Sequence, residues 1–411
     1  MKEEWKRKRI KDFAILNPSP ANCNMKGDVS FVPMECLRTG YIEKRIIDYQ
    51  TGRSKYTFFE ENDLLIAKVT PCFENGNIAI AENLEQRTGF GSSEIFVYRF
   101  NKEVYNKYMF YVLQSAQFKN SAIATMCGVG GLKRISPLFM RTFSVSLPDI
   151  STQINIANYL NKKIAQIAAR IALLEKKRDI YNRLKKNLIN KIVTRGLRLN
   201  TDLKYSHVNW MGEIPIHWKV MRAKSLFSES KMVSHTGKED LLSVSEYYGI
   251  ARRADKMTDD DEYETRSVSL IGYKICKKGD LVINIMLAWK KGLGVSDFEG
   301  IVSPAYAVYR PLDIYSRYYH YLLRTDMYMA EFKRNSKGII DSRLRLYTER
   351  FYNILLPVPP LSEQQEIANY LDSESVKIDK IVSNIDVQIT KLQTLRKSLI
   401  NEVVTGERSI V

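Results

Sequence analysis

The sequence predicts an α+β protein with two similar α/β domains, separated by two long antiparallel coiled-coil helices and related by a pseudo-two-fold internal repeat. Three observations predict it. The pentapeptide "IANYL" stands at 156–160 and again at 367–371, 211 positions further on. After each copy, apolar residues recur at alternating spacings of four and three, the heptad mark of a coiled coil. Before each copy come short runs rich in β-branched and aromatic residues, which read as strands.

The repeat holds register well beyond the pentapeptide. At the same offset Ser151 meets Ser362, Gln153 meets Gln364, Ile167 meets Ile378, Lys186 meets Lys397, and "LIN" at 188–190 meets "LIN" at 399–401. Upstream, "VYR" at 97–99 meets "VYR" at 308–310, and "DLLI" at 63–66 resembles "DLVI" at 280–283. "WKRKRIK" from Trp5 resembles "WKVMRAK" from Trp218 at a slightly larger offset. A solenoid repeats every ~20–50 residues, so the longer period indicates a duplicated domain-sized unit. The expected order is a first domain at 1–150, a helix at 151–196, a linker at 197–217, a second domain at 218–361 and a second helix at 362–411.

Helix signals bracket both repeated segments. Pro148 and Pro360 lie just before them. Ser151 and Ser362 are the expected N-caps, and Ser362 with Gln365 has the spacing of a capping box. Gly196 and Gly406 follow the last periodic residues, where a helix ends in a left-handed turn. The expected pairing seam comprises Leu160, Ile167, Ile171, Leu174 and Leu188 in the first copy, and Leu371, Ile378, Ile385, Leu392 and Leu399 in the second. Arg178, Lys185, Ser375 and Arg396 interrupt it, the long ones expected to snorkel out to solvent. Residues 152–195 as one helix span about 66 Å, a length that needs a packing neighbour. The first helix leads away from the first domain and the second starts from the second domain, so pairing is expected to be antiparallel.

In the first domain the strand-like runs are "DLLIAKV" (63–69), "EIFVYRF" (94–100) and "FSVSL" (143–147). In the second they are "DLVINIM" (280–286), "AYAVYR" (305–310) and "YNILL" (352–356). Tyrosine-rich helical stretches at 105–118 and 315–332 read as core packing. Two glycine-containing basic loops occupy corresponding places: "CGVGGLKRIS" (127–136) with Lys133 and Arg134, and "NSKGIIDSRLRLY" (335–347) with Lys337, Arg343 and Arg345. Glycine lets a backbone approach a groove, arginine can grip guanine edges and lysine can hold phosphate. Trp289, Lys290 and Lys291 add an aromatic and basic patch.

The net charge of +17, from 63 Lys and Arg against 46 Asp and Glu, points to a polyanionic partner, nucleic acid before membrane. Much of it sits on the first helix: residues 161–198 carry 12 basic and two acidic side chains, residues 372–408 six of each. No run of 18 apolar residues suggests a membrane span, and the basic N-terminus lacks an apolar signal core. Cys23, Cys36, Cys72, Cys127 and Cys276 are odd in number and lack C-x-x-C spacing, which fits free thiols in a reducing cytoplasm.

Catalytic signatures are missing. There is no phosphate-binding G-x-x-x-x-G-K-[ST] loop and no H-E-x-x-H, and His207, His217, His235 and His320 are scattered. "NPSP" at 17–20 lacks the second consecutive proline and the aromatic of an aminomethyltransferase signature, so it reads as a turn. The acidic run "DDDEYE" (259–264) reads as a solvated loop rather than a metal site.

Three segments resemble the specificity subunits of type I restriction-modification systems: "LPVPPLSEQQEIANYLD" (356–372), "WMGEIPIHWKV" (210–220) and "GIVSPAYAVYRP" (300–311). The alternation of variable and repeated regions extends the resemblance over essentially the whole chain. The first copy, "LPDISTQINIANYL", departs from it with Asp149 and Thr152 where the second has Pro360 and Glu363. The resemblance implies two target recognition domains, each reading half of a bipartite, asymmetric site in double-stranded DNA. It implies no catalysis and no cofactor in this chain. Two modification subunits that bind S-adenosylmethionine and methylate adenine would dock on the helices, and motor-nuclease restriction subunits would join them. A coiled-coil adaptor binding only protein, and a stand-alone methyltransferase or nuclease, are the competing readings.

Overall fold

The computed structural model describes residues 5–20, 25–128, 131–198, 200–253 and 269–410. The acidic run at 259–264, Cys23, and Val129–Gly130 of the first basic loop lie outside the described residues. The chain divides into two compact units, Met1–Glu175 with Asp386–Val411, and Lys176–Ile385. Each unit thus combines one domain with part of both long helices.

The helices run from Ile150 to Arg195 and from Leu361 to Val404. Both end as the glycines foretell, with Gly196 at φ +74° and Gly406 at φ +75°. Ring atoms fill the space beside each stop. A Cβ on Gly406 would lie 3.3 Å from the Trp5 indole, and one on Gly196 would lie 3.5 Å from the Trp218 indole and 2.8 Å from Glu363 Oε1. The N-termini differ from expectation. Ser151 and Ser362 lie inside the first turn rather than at the cap, because each helix starts one residue earlier. Asp149 caps the first helix: its Oδ1 accepts from the N–H groups of Ser151 at 2.8 Å and Thr152 at 3.1 Å. Hydrogen bonds from the Ser151 and Thr152 side chains, then from the backbone, hold its carboxyl far below the usual carboxylate range.

Helix pairing is antiparallel within each unit. In the first, Ile156 and Leu160 share a core with Leu399, Ile400, Val403 and Val404, while Ile171 lines a cleft with Gln393 and Arg396. In the second, Ile192 and Val193 share a core with Ile367, Ala368 and Leu371, while Lys185 reaches Asp379 at 2.7 Å. Leu160, Leu371, Ile378, Ile385 and Leu399 are buried, whereas Ile167, Ile171, Leu174, Leu188 and Leu392 are half-buried. The Lys185 ammonium leaves the seam as expected, and there an exposed carboxylate on the other helix engages it.

A buried glutamine anchors each helix to its domain in the same way. Gln153 Oε1 accepts from Tyr105 N–H at 2.9 Å, and its amide donates to the Glu103 and Pro148 carbonyls at 3.0 and 2.9 Å. Gln364 Oε1 accepts from Tyr315 N–H at 2.9 Å and its amide donates to Pro359 at 2.9 Å. Burying an amide is tolerable when its donors and acceptors are matched, and here the matching fixes where the helix leaves the domain.

The domains share a four-stranded antiparallel sheet. Its order is Ala14–Leu16, Ile95–Phe100, Leu64–Ala67, Ile78–Ile80 in the first and Phe227–Glu229, Tyr306–Pro311, Leu281–Asn284, Leu293–Val295 in the second. A further antiparallel pair closes each domain, Lys6–Arg9 with Ser144–Leu147 and Lys219–Arg222 with Leu355–Val358. The last of these strands starts later than "YNILL" suggests, because Thr348–Asn353 is helical. The domains differ elsewhere. The first adds a second four-stranded sheet, Arg45–Asp48, Asp28–Val32, Thr88–Gly91, Thr57–Glu60. The second instead has two antiparallel pairs, the hairpin Leu242–Ser245 with Gly249–Arg252, and Lys274–Cys276 with Gly300–Val302.

The tyrosine-rich stretches are core, as expected: Tyr108, Tyr318, Tyr319 and Tyr328 are fully buried. Their neighbours tie domain to helix, Tyr111 donating to Asn161 Oδ1 and Tyr321 to Asp372 Oδ1, each at 2.5 Å. The expected linker at 197–217 is folded. Leu203–Tyr205 pairs with Glu213–Pro215, and Val208, Met211 and Ile214 enter the core around Trp218. Its apolar residues are spaced too irregularly to announce a hairpin. At "NPSP" the chain bends at Asn17, which has φ +53° and whose Oδ1 accepts from Val97 N–H at 2.9 Å.

The "VYR" and "DLLI" motifs meet in the shared sheet. Arg99 makes a two-pronged bond to the buried Asp63 at 2.9 and 2.7 Å and also reaches Glu60 at 2.8 Å. In the second domain burial raises the Asp280 carboxyl, and Arg310 acts on it only through its charge. Arg310 Nε is enclosed without a hydrogen-bond partner. Removing one partner of a buried, bonded pair costs about 3 kcal/mol. We therefore expect Arg99→Ala to destabilise the first unit by roughly that amount and Arg310→Ala to cost the second less than half as much. Hydrogen exchange under urea, resolved by peptide, measures both; equal losses would contradict the difference in bonding.

Candidate nucleic-acid interface

Both basic loops are closed by the same main-chain bonds. In the first domain Cys127 and Arg134 exchange N–H···O bonds of 3.1 and 2.9 Å; in the second Lys337 and Arg345 exchange bonds of 2.9 Å. The next residue is glycine each time, Gly128 at φ +150° and Gly338 at φ +151°. A Cβ there would strike the Leu132 carbonyl oxygen at 2.2 Å or that of Arg343 at 2.6 Å. A side chain cannot replace either glycine while the loop closes this tightly. Past the loop, Ile135 N–H donates to Lys68 and Leu346 N–H to Ile285, so each loop is pinned to the same region of its domain.

The tips differ. In the first, the Thr70 hydroxyl donates to Gly131 O at 2.7 Å and accepts from Lys133 N–H at 3.0 Å. Lys133 is exposed. Arg134 is engaged by Glu94, with contacts of 2.8 to 3.1 Å. Its hydrogen bond to Arg134 is the main cause holding the Glu94 carboxyl below its usual range. In the second, Lys337 and Arg343 are exposed, while Arg345 is half-buried and donates to the Leu344 carbonyl at 3.0 Å. Ile339 is fully exposed and Ile340 is 54% exposed at the tip between them, an apolar point in a basic rim that no motif or periodicity marks in the sequence.

Trp289 lies half-buried in a turn, Ala288–Lys290, with Lys290 Nζ 4.9 Å and Lys333 Nζ 4.8 Å from its ring centre. Its indole N–H has no partner. Lys291 adopts a left-handed conformation at φ +64° and pairs with Asp326 at 3.3 Å. The patch therefore joins helix Asp326–Asn335, and through the Lys333–Asp341 pair at 3.0 Å it continues to the second basic loop.

Beside this patch a cleft of 810 Å³ opens between the second domain and its portion of the helix pair, lined among others by Lys185, Lys186, Tyr247, Lys290, Arg324 and Asp379. The first unit has a cleft in the corresponding place, of 480 Å³, lined among others by Arg396, Lys397, Gln114 and Lys119. Arg396 and Lys397 are the repeat partners of Lys185 and Lys186. Each domain thus faces two neighbouring cations on a helix. Among the described residues no His, Cys, Asp or Glu cluster could hold a metal ion, Cys36, Cys72, Cys127 and Cys276 are free thiols, and no helix is long and apolar enough to cross a membrane.

One titratable group supports the second patch. His320 Nδ1 accepts from Val295 N–H at 3.2 Å, which requires a neutral ring. Burial, then the charges of Arg317 and Arg324, push its pKa well below the ordinary histidine value. The unfolded chain binds this proton more readily, so the stability of the second unit is complete above about pH 6.5 and falls as pH drops below it, by about 1.4 kcal/mol per unit, until the folded ring titrates. We expect His320→Phe, which places there the residue the first domain carries as Phe110, to lose this component between pH 7 and 5. Urea unfolding of the second unit would test it; an unchanged pH slope would rule His320 out as the source.

The sequence pattern of the type I restriction modification DNA specificity domain matches residues 2–198 and 217–391. The chain is similar to the Type I restriction enzyme EcoEI specificity subunit of Escherichia coli, 28% identical over 164 residues, which make up 39% of this chain. That match spans only 28% of the length of the relative. It is similar along its length to the Type I restriction enzyme MjaVIII specificity subunit of Methanocaldococcus jannaschii, 22% identical over 428 residues, covering 98% of this chain and 93% of that one. A chain solved in work on complex assembly and conformational transition of the type I R-M system shares the fold, with a TM-score of 0.74 at 14% identity over 98% of this chain and 97% of its own. The two matched segments take in most of the sequence and fall one on each copy of the repeat: the chain belongs to the type I restriction-modification DNA specificity family and carries two such domains.

Proposed function

We propose that this chain is the non-catalytic, DNA-reading subunit of a cytoplasmic type I restriction-modification complex. Each domain reads one half of a bipartite, asymmetric site. The long helices act as the spacer between the two halves and as the docking surface for two modification subunits, which carry S-adenosylmethionine and methylate adenine, and for the motor-nuclease restriction subunits. The duplication carries this reading. One domain plan, one glutamine anchor and one basic loop are each built twice, while the loop tips and the outer strands differ, as two readers of different sequences require. Lys133, Lys337 and Arg343 are the candidates for direct DNA contact, with Trp289, Lys290 and Lys291 beside them. Arg134 and Arg345 brace the loops from which those side chains project.

A helix of about 66 Å corresponds to about 19 base pairs of B-DNA, and this length is the upper bound on the unread gap under the spacer role. The test is binding of the assembled complex to duplexes with one or two base pairs inserted in the gap. Each insertion rotates one half-site by about a tenth of a turn, so affinity should fall at least about tenfold and the remaining binding should weaken steeply with salt. Equal affinity for every gap length would contradict the spacer role.

A further inference from the structure

We propose that Arg324 is a positioning residue for DNA reading by the second domain: its guanidinium binds the main-chain carbonyls of two separate loops and holds Tyr247 and the Lys290–Lys291 pair as one edge. Nη1 donates to Lys291 O at 2.8 Å and Leu293 O at 2.5 Å and lies 3.5 Å from Ser245 O. Nη2 donates to Glu246 O at 2.9 Å and Tyr247 O at 3.0 Å. Among the described residues no carboxylate pairs with it. Carbonyl dipoles offset the cost of enclosing the charge, which burial alone moves to a pKa of about 10, so the group stays cationic at neutral pH.

The loops it joins are in backbone contact, since a Cβ on Gly294 would lie 3.0 Å from the Gly249 Cα. Tyr247 is 91% exposed at the tip of the 245–249 turn, with Tyr248 42% exposed beside it. A tyrosine that buries almost nothing contributes little to the fold, but it offers a flat face on which a base or sugar can stack. Tyr247 lines the same cleft as Lys185, Lys186 and Lys290. The sister domain supplies the control. Aligning the tyrosine helices Asn106–Val112 and Ser316–Leu322 places Gln114 opposite Arg324. Gln114 donates to Phe110 O at 2.8 Å, on its own helix. The fold therefore accepts a neutral side chain here, and the arginine answers a need particular to the second domain.

The inference rests on the second domain reading a half-site, and the test separates the two. Full-length wild type, Arg324→Gln, Arg324→Lys and Tyr247→Ala are assembled with the modification subunits. The probes are a duplex carrying the sequence modified in the host and duplexes with either half scrambled, over a salt series. Amide exchange of 245–248 and 290–293 is measured on the free chains. Arg324→Gln and Arg324→Lys should speed exchange in both segments and reduce discrimination at one half-site by about tenfold, leaving the other half-site and the salt slope unchanged. Tyr247→Ala should reproduce the loss at that half-site without changing exchange at 290–293. Unchanged exchange in the Arg324 variants would overturn the clamp even if no half-site discrimination exists in wild type. Retained discrimination with faster exchange would overturn the positioning role. A salt slope shallower by about one would overturn it too, making Arg324 a phosphate contact.

Discussion

A long helix with a narrow apolar seam cannot stand alone in water. In this chain each seam is covered by the other copy of the repeat, so neither copy is a complete folding unit. The start of the first helix packs against the end of the second, and the end of the first against the start of the second, each pair beside its own domain. That exchange explains why the duplication retains the helices most faithfully. A change on one seam is felt on the other, whereas an outer strand answers only to its own domain. It also explains the two tryptophan–glycine contacts. Trp5 covers the stop of the helix from the distant copy, and Trp218 covers the stop just upstream of it.

The second physical theme is the management of buried polarity. The glutamine anchors and the tyrosine-to-helix bonds satisfy main-chain and side-chain groups at the joint between domain and helix, where an unmatched group would cost stability. The same logic with charge distinguishes the sister domains. Asp63 and Arg99 form a bonded pair, while Asp280 and Arg310 do not. Arg324 meets carbonyls where Gln114 meets its own helix. A shared framework with altered polar contacts near the loops is what divergent recognition on one scaffold requires.

Much of this was legible in the sequence because it is periodic or repeated. The heptad spacing foretold the helices, the order of domains and helices along the chain foretold their antiparallel pairing, Gly196 and Gly406 marked their ends, and the β-branched runs marked the shared sheet. What was missed depends on contacts distant in sequence. Asp149 caps the first helix because that helix begins one residue before Ser151. The 203–215 hairpin is held by a core that includes Trp218 and Tyr328. The strands near 28–60 are short and broken by polar residues, and they assemble around Thr88–Gly91, which pairs in parallel with Asp28–Val32 and antiparallel with Thr57–Glu60, an arrangement that no local pattern announces. For the candidate site, the placement of the basic loops was readable, but the bond that engages Arg134 with Glu94 was not. Arg324 does carry a sequence signal, an arginine opposite a glutamine when the tyrosine helices are aligned.

The most direct measurement is to map modified adenines in cells carrying the native chain and in cells carrying a hybrid whose residues 218–361 come from another member of the family. One half of the modified sequence should change while the other half and the gap between them stay the same. A hybrid that alters both halves, or neither, would contradict the division of labour between the two domains.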